Sequence, residues 1–350
     1  MRLTTLKLQN FRNFANFTAE FQYPVTMILG ANARGKTNIL EAVYVAVHGY
    51  GFRESREEEL LRIGESSGFV EAIFKEKEEK TKLSIYFQRT ETGVNKKTLV
   101  NNVQRTSYQY QQSGVRTILF SPDQLQMIIG APSERRQYFD RLISYYDSAY
   151  KSKLINYENG LRKRNKVLER YTNPTQLKEE LDFWNNYLEE QGSYLTEKRE
   201  EYVKFLQDHP HIDSTQFTIE YLKSELTKEK LEESHEEEKR LRKTIIGPQR
   251  DDFQISKIKT STQRYSVHHF GSRSEQRLAL FWLHWNEVKY YEELTKKKPI
   301  LLLDDIFSEL DVSNKKLISH LINNYQTILT TTEKELQGYL QVSESAIILL

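Results

Sequence analysis

The chain contains no cysteine. A disulfide scaffold, a thiolate metal site and a cysteine nucleophile are therefore excluded. It also lacks any apolar run near the ~18 residues a membrane span requires. Its opening residues, MRLTTLKLQN, alternate polar with apolar and offer no signal-peptide core. A cytoplasmic chain with no membrane partner is expected. Excess charge of one sign is missing as well: 51 basic and 49 acidic residues leave a formal net charge of +2. That balance neither demands nor forbids a polyanionic partner, so local distribution has to decide. No internal repeat and no long heptad array interrupts the pattern.

Core material is plentiful, with 21 Tyr, 17 Phe and 3 Trp in 350 residues. At ~150 residues per domain the length suggests two domains, and a chain of this size buries about 75% of its unfolded surface without staples. Leu3 to Leu8, Val25 to Leu29, Phe69 to Phe74 and Leu83 to Phe87 read as strands. Ile39 to Val47 reads as a buried helix. A hairpin is expected around Gly93 and Asn95. From about residue 120 to 243 the pattern turns mostly helical, with a short strand at Phe217 to Leu222 and an almost wholly charged stretch over Thr227 to Lys243 that reads as a solvated helix or its connection. The last third returns to α/β. There Ile300 to Leu303 predicts a buried parallel strand ending in Asp304 and Asp305, followed by a helix at Leu317 to Leu321 and a strand at Thr327 to Thr330. The expected fold is α/β, with a helical middle inserted between two halves of one unit.

Gly30-Ala31-Asn32-Ala33-Arg34-Gly35-Lys36-Thr37 fits the pattern G-x-x-x-x-G-K-[ST], after an apolar strand and before a helix. The glycines let backbone amides turn inward on a phosphate, and the helix N-terminus adds positive potential. Lys36 is expected at the β- and γ-phosphates of ATP and the Thr37 hydroxyl on Mg²⁺. Asp304, at the end of its strand, suits Mg²⁺, and Asp305 suits the polarisation of an attacking water. Lys36 and Asp304 lie near opposite ends of the chain. That layout fits ABC-type ATPase heads better than small kinases.

At these residues the sequence resembles the RecF family. Asn10-Phe11-Arg12-Asn13-Phe14, GANARGKTNILEAVY, LFSPDQLQMIIGAPSERRQYFD (119 to 140), Arg164-Asn165, Gly247-Pro248-Gln249-Arg250-Asp251-Asp252 and LLLDDIFSELD (301 to 311) follow the family's motifs in order. The resemblance implies an ABC-type P-loop ATPase head with a mixed or antiparallel β-subdomain and an inserted helical lobe. In this division 1–119 and 245–350 form the ATPase core, with a signature segment at 268–280, and 120–244 forms a candidate DNA-binding lobe. It further implies an ATP-dependent homodimer, slow and weak DNA-dependent ATP hydrolysis, binding to single-strand/double-strand DNA junctions at gaps, and work with RecR- and RecO-type proteins in replication and recombinational repair. Ser272 would meet ATP on the partner subunit. The signature departs from the family at Ser274, where glycine is usual, and at Glu275, where a carboxylate would repel a triphosphate. Gln249 replaces a histidine.

Residues 135 to 170 hold ten basic and four acidic residues. Lys163, Arg164, Lys166 and Arg170 are candidate DNA contacts, although a solvated helix face has the same composition. Arg12 stands between a ligand contact and a sheet-edge charge. His268-His269 has poor spacing for a metal, and Trp282, Trp285, Tyr145 and Tyr146 are expected to pack in cores. Another ABC-type chromosome-associated ATPase, a transporter ATPase subunit and a P-loop small-molecule kinase are the competing assignments.

Overall fold

The computed structural model describes residues 1–53, 56–170, 174–260, 263–308 and 310–350. Strands β1 (Arg2–Phe11), β2 (Phe14–Glu20) and β3 (Val25–Leu29) precede helix α1 (Lys36–His48). After it come β4 (Ser67–Glu76), β5 (Glu79–Thr90), β6 (Gly93–Val100), β7 (Val103–Arg105), the short α2 (Ser107–Gln111) and β8 (Thr117–Phe120). The middle holds α3 (Gln126–Ile129), α4 (Pro132–Tyr146), α5 (Ser148–Glu169), α6 (Pro174–Asp208), β9 (His211–Ile212), β10 (Thr215–Leu222) and α7 (Lys228–Leu241). Next are β11 (Asp252–Ile258), β12 (Arg264–Ser266), α8 (Val267–Phe270) and α9 (Arg273–Thr295). The chain closes with β13 (Ile300–Asp304), α10 (Val312–Ile322), β14 (Thr327–Thr331), α11 (Leu336–Leu340) and β15 (Ile347–Leu349). Two compact units result: Met1–Asp123 with Glu287–Leu350, and Gln124–Asn286.

The first unit contains two sheets. One is antiparallel, in the order β2-β1-β4-β5-β6-β7; the other is parallel, in the order β15-β3-β14-β13-β8. Every residue of β13 and β14 is buried, as expected of parallel strands covered on both faces. The antiparallel sheet buries only one face. Leu6, Leu8, Val70, Phe74, Leu83 and Ile85 join Ile39, Leu40 and Val43 of α1 in one core, and each such side chain contributes about 1.5–3 kcal/mol of burial. The turn between β5 and β6 falls at Glu91 and Thr92, with Thr90 opposite Gly93, so the hairpin lies earlier than expected and Asn95 is an ordinary strand residue facing Gln88. The left-handed turn belongs to Asn101 and Asn102, at φ 51 and 65, between β6 and β7. Asparagine tolerates that conformation better than most residues.

The second unit is less helical than its sequence suggests. It contains an antiparallel sheet in the order β12-β11-β10-β9. Strand β11 pairs with β10 along its whole length, from Asp252 opposite Leu222 to Ile258 opposite Gln216. That pairing carries residues 245–286, signature segment included, into this unit, whereas the sequence motifs place them with the ATPase core. Arg199 is its polar centre. The guanidinium is buried and bonds Asp140 at 2.8 Å, Asp251 at 2.7 Å and the Pro248 carbonyl at 2.9 Å. A buried charge needs such complete pairing to be tolerated. Trp282 and Trp285 of α9 are buried, as expected.

Candidate nucleotide site

Strand β3 delivers the chain into the loop Gly30–Gly35, and α1 begins at Lys36. The first N–H groups of α1 have no partner within the helix and are available to an anion. Two left-handed residues shape the loop, Ala33 at φ 63 and Gly35 at φ 99. Gly35 is required twice over, because a Cβ there would also lie 2.6 Å from the Asn13 side chain. Ala31, Asn32, Ala33 and Arg34 are exposed along the loop. Lys36 is buried, and its Nζ donates to the Gly30 and Ala31 carbonyls at 2.8 and 3.0 Å, closing the loop on itself.

The parallel sheet brings the distant carboxylates to this loop. Asp304 sits in register with Thr330 on the neighbouring strand. Thr37 Oγ1 and Thr330 Oγ1 both donate to Asp304 Oδ1, at 2.9 and 2.7 Å. Asp305 adopts φ 47 and receives no bond at its buried Oδ1, while its N–H donates to Thr330 Oγ1 at 3.0 Å. Burial pushes both carboxyls above their ordinary values. For Asp304 the hydroxyls of Thr330 and Thr37 work against that rise; for Asp305 the adjacent Asp304 adds to it. Asp304, Asp305 and the Thr37 hydroxyl form an all-oxygen donor set, in which Asp305 Oδ1 is buried without a partner; such a set suits Mg²⁺. Thr37 and Asp304 are the side chains that would hold it.

Sequence reasoning did not single out two participants. Thr330 was visible only as part of a strand; parallel register makes it the second donor to Asp304. Asn13, in the turn between β1 and β2, donates from Nδ2 to the Arg34 carbonyl at 3.3 Å and accepts from Asn38 Nδ2 at 2.7 Å. Its neighbour Arg12 makes a two-pronged pair with Glu41 at 2.8 and 2.9 Å, and Arg53 bonds Glu41 at 2.9 Å and Asn38 at 2.6 Å. Glu41 is fully buried. The turn and α1 thus brace the phosphate loop from behind.

In the second unit Ser272 directly precedes α9. Its Oγ accepts from the Glu275 N–H at 3.3 Å, and Glu275 Oε2 accepts from the Ser272 N–H at 2.8 Å. This is a capping box, and its S-x-x-E pattern stands in the sequence. Glu275 also takes Lys257 Nζ at 2.9 Å and the Tyr265 hydroxyl. Burial alone would raise its pKa. The bonds from Tyr265, Lys257 and Ser272 outweigh burial and pull it down to about 2. The carboxylate that the sequence sets against a triphosphate is therefore charge-paired within its own unit.

Lys163, Lys166 and Arg170 are exposed along α5 and at its C-terminal end, with Lys163 Nζ 5.3 Å from the Trp184 ring centre. Arg164 does not belong with them. It is 1% exposed and bonds Glu238 at 2.6 Å, Thr244 at 2.7 Å and Asn185 at 2.8 Å. Helical rotation turns it inward, so it is a core arginine and contacts no DNA. Glu309, within the 301–311 motif, lies outside the described residues. Among the described residues no group of His, Asp or Glu side chains forms a metal cluster, and no helix is long and apolar enough to cross a membrane.

A parallel sheet with this phosphate loop and strand-end carboxylates, joined to an antiparallel sheet, defines an ABC-type ATPase head. The SMC head domain of Pyrococcus furiosus shares the fold at TM-score 0.54 and 17% identity, covering 97% of this chain and 91% of that one. The model of the RecF/RecN/SMC N terminal domain matches residues 2–342. The DNA replication and repair protein RecF of Natranaerobius thermophilus is 35% identical, with 96% of this chain and 92% of that protein aligned. RecF of Thermoanaerobacter sp. (strain X514) is 31% identical over 99% of both. The structure of the recombination mediator protein RecF with ATP, from the RecFOR pathway, superposes at TM-score 0.79 with 29% identity, covering 95% of this chain and 92% of that one. The chain belongs to the RecF family.

Proposed function

We propose that this protein binds ATP and acts in DNA replication and repair, as an ATP-gated homodimer on DNA gaps with slow hydrolysis. The observation that carries the nucleotide assignment is the 2.9 Å bond from Thr37 to Asp304, which joins the phosphate loop to the strand-end carboxylate. In this reading Gly30 to Gly35 cradle the phosphates, and Lys36 leaves its two carbonyls for the β- and γ-phosphates. Mg²⁺, held by Thr37 and Asp304, would offset phosphate charge. Asp305 orients the attacking water; as an aspartate it is one methylene shorter than the glutamate usual in such heads, which accords with slow turnover. Ser272 of one copy serves ATP bound by the other. Residues 1–119 and the 300s supply the nucleotide core, and the lobe beyond residue 120 supplies Lys163, Lys166 and Arg170 to duplex phosphates. RecR- and RecO-type proteins are the proposed partners, and the cytoplasm the proposed location.

Calorimetric titration tests the first step. Lys36→Ala should weaken ATP binding at least tenfold, and Lys36→Arg should bind with altered geometry and little hydrolysis. Equal affinity of Lys36→Ala and wild type would remove the nucleotide assignment. Replacing Lys163, Lys166 and Arg170 with Gln should flatten the log K against log salt slope on duplex by up to ~3; an unchanged slope would make the strip a solvated face.

A further inference from the structure

The near-neutral net charge conceals a segregation that only strand register reveals. Side chains on the face of the antiparallel sheet turned away from the core are fixed by the pairings of β1, β2, β4, β5 and β6. That face carries Arg2, Lys7, Lys75, Lys80, Lys82 and Lys97. Against these six cations it carries two carboxylates, Glu20 and Glu71. Lys82 neutralises Glu71 at 2.7 Å. Lys7, Lys80 and Lys97 are exposed, and among the described residues none of them has a carboxylate partner. Lys75 pairs with Glu78 at 3.8 Å, so three of the six cations on this face, Lys7, Lys80 and Lys97, are the ones offered to an external anion.

One row of this face has a different composition. Asn16, Gln9, Phe69, Tyr86 and Lys97 stand opposite one another across five adjacent strands. Phe69 and Tyr86 pair with ring centres 5.8 Å apart. Tyr86 remains 44% exposed, although aromatic rings are normally consumed by cores. Two amides flank the rings on one side and an exposed lysine on the other. Six strands at ~4.8 Å spacing give a face about 24 Å wide, enough for several nucleotides.

We propose that this sheet face binds single-stranded DNA, with unstacked bases on Tyr86 and Phe69 and phosphates on Lys7, Lys80 and Lys97. The inference rests on the DNA-binding reading above and assigns it a second surface, separate from the strip on α5. Exposed rings on a sheet with amide neighbours recognise unpaired bases, because each base offers a π-face and free edges. A duplex hides those faces, and a protein or anionic lipid partner gives an aromatic row no comparable stack. The cations supply the sequence-independent part of the affinity.

The test is fluorescence anisotropy of a labelled oligo(dT) of about 20 nucleotides, an abasic oligomer of equal length, and a blunt duplex, with the full chain. Tyr86→Ala should weaken oligo(dT) binding roughly 5- to 150-fold, the worth of one stacked base. It should leave the abasic oligomer and the duplex nearly unaffected. Tyr86→Trp should retain the affinity, which shows that the ring is the determinant. Replacing Lys7, Lys80 and Lys97 with Gln should flatten the single-strand salt slope by about 2. ATP affinity and melting temperature at wild-type values confirm that the variants fold. If duplex binds while oligo(dT) binding ignores both sets of substitutions, the surface assignment is overturned and the DNA reading stands. If wild type binds no DNA of any form, both fall.

Discussion

Asp304 concentrates two hydroxyl bonds on one oxygen in a buried setting, and its raised pKa makes the carboxylate a local liability in the nucleotide-free protein. A carboxyl whose pKa rises on folding costs nothing below its unfolded value of 3.8 and destabilises the fold as pH climbs above it. Asp304→Asn should therefore melt a few degrees higher than wild type at pH 7, with the gain vanishing below pH 4, while Mg²⁺-ATP hydrolysis is lost. A melting curve lower than wild type at pH 7 would contradict this account. Glu275 has the opposite sign. Its pKa, lowered to about 2 from 4.5, adds stability that is complete above pH 4.5 and disappears as pH falls towards 2. Glu275→Gln should cost about 1 kcal/mol at pH 7. Differential scanning fluorimetry across pH should show the gap between the two proteins narrowing through that acid window; a constant gap would place the stabilisation elsewhere.

Among the elements, the link between α5 and α7 depends on one buried ion pair. Arg164 is 1% and Glu238 0% exposed at their side chains. Removing one partner strands a charge, so Arg164→Ala should cost about 3–5 kcal/mol, and Arg164→Met with Glu238→Leu should recover most of that loss. Denaturant titrations of the three proteins decide the matter: a double variant no better than the single one would show that hydrogen bonds to Thr244 and Asn185, rather than charge, hold the helices. The pair also marks where sequence ceases to be legible. Period and apolar runs located β3, α1 and β13, and the phosphate-loop pattern with Asp304 picked out residues that the fold brings together as a candidate site. Arg164 and Lys163 are adjacent letters of one basic cluster, however, and nothing local tells which of them turns inward. Glu238 lies in a run of charge that reads as fully solvated. Asn13 and Thr330 gain their roles only from turn geometry and parallel register, both long-range outcomes. In the four-stranded sheet of the second unit, β9 and β12 have only two and three residues, too short to display a period, whereas β11 does alternate at Phe253 and Ile255 and its strand signal stands in the sequence unused.

For the whole molecule, the proposed dimer can be separated from hydrolysis. Asp305→Asn retains Lys36, Thr37 and Asp304 while removing the charge that polarises water. Light scattering with ATP and Mg²⁺ should show a doubled mass that persists, whereas Ser272→Arg should stay monomeric at unchanged monomer affinity for ATP. A Ser272→Arg protein that still doubles in mass would end the shared-site mechanism. The strand order has a further consequence, for synthesis. The neighbours of β3 are β14 and β15, and the neighbour of β8 is β13. The strand that presents the phosphate loop therefore has no hydrogen-bonded partner until residues near 331 have emerged. At ~5–20 residues per second the ribosome needs roughly 15–60 s to cover that distance. Meanwhile β1, β2 and β4 to β7 find their partners locally, and β9 to β12 assemble among themselves. A nascent chain arrested before residue 300 should hold protease-resistant β hairpins yet retain no ATP on a nucleotide column, so that ATP capture reports the emergence of β13 and β14.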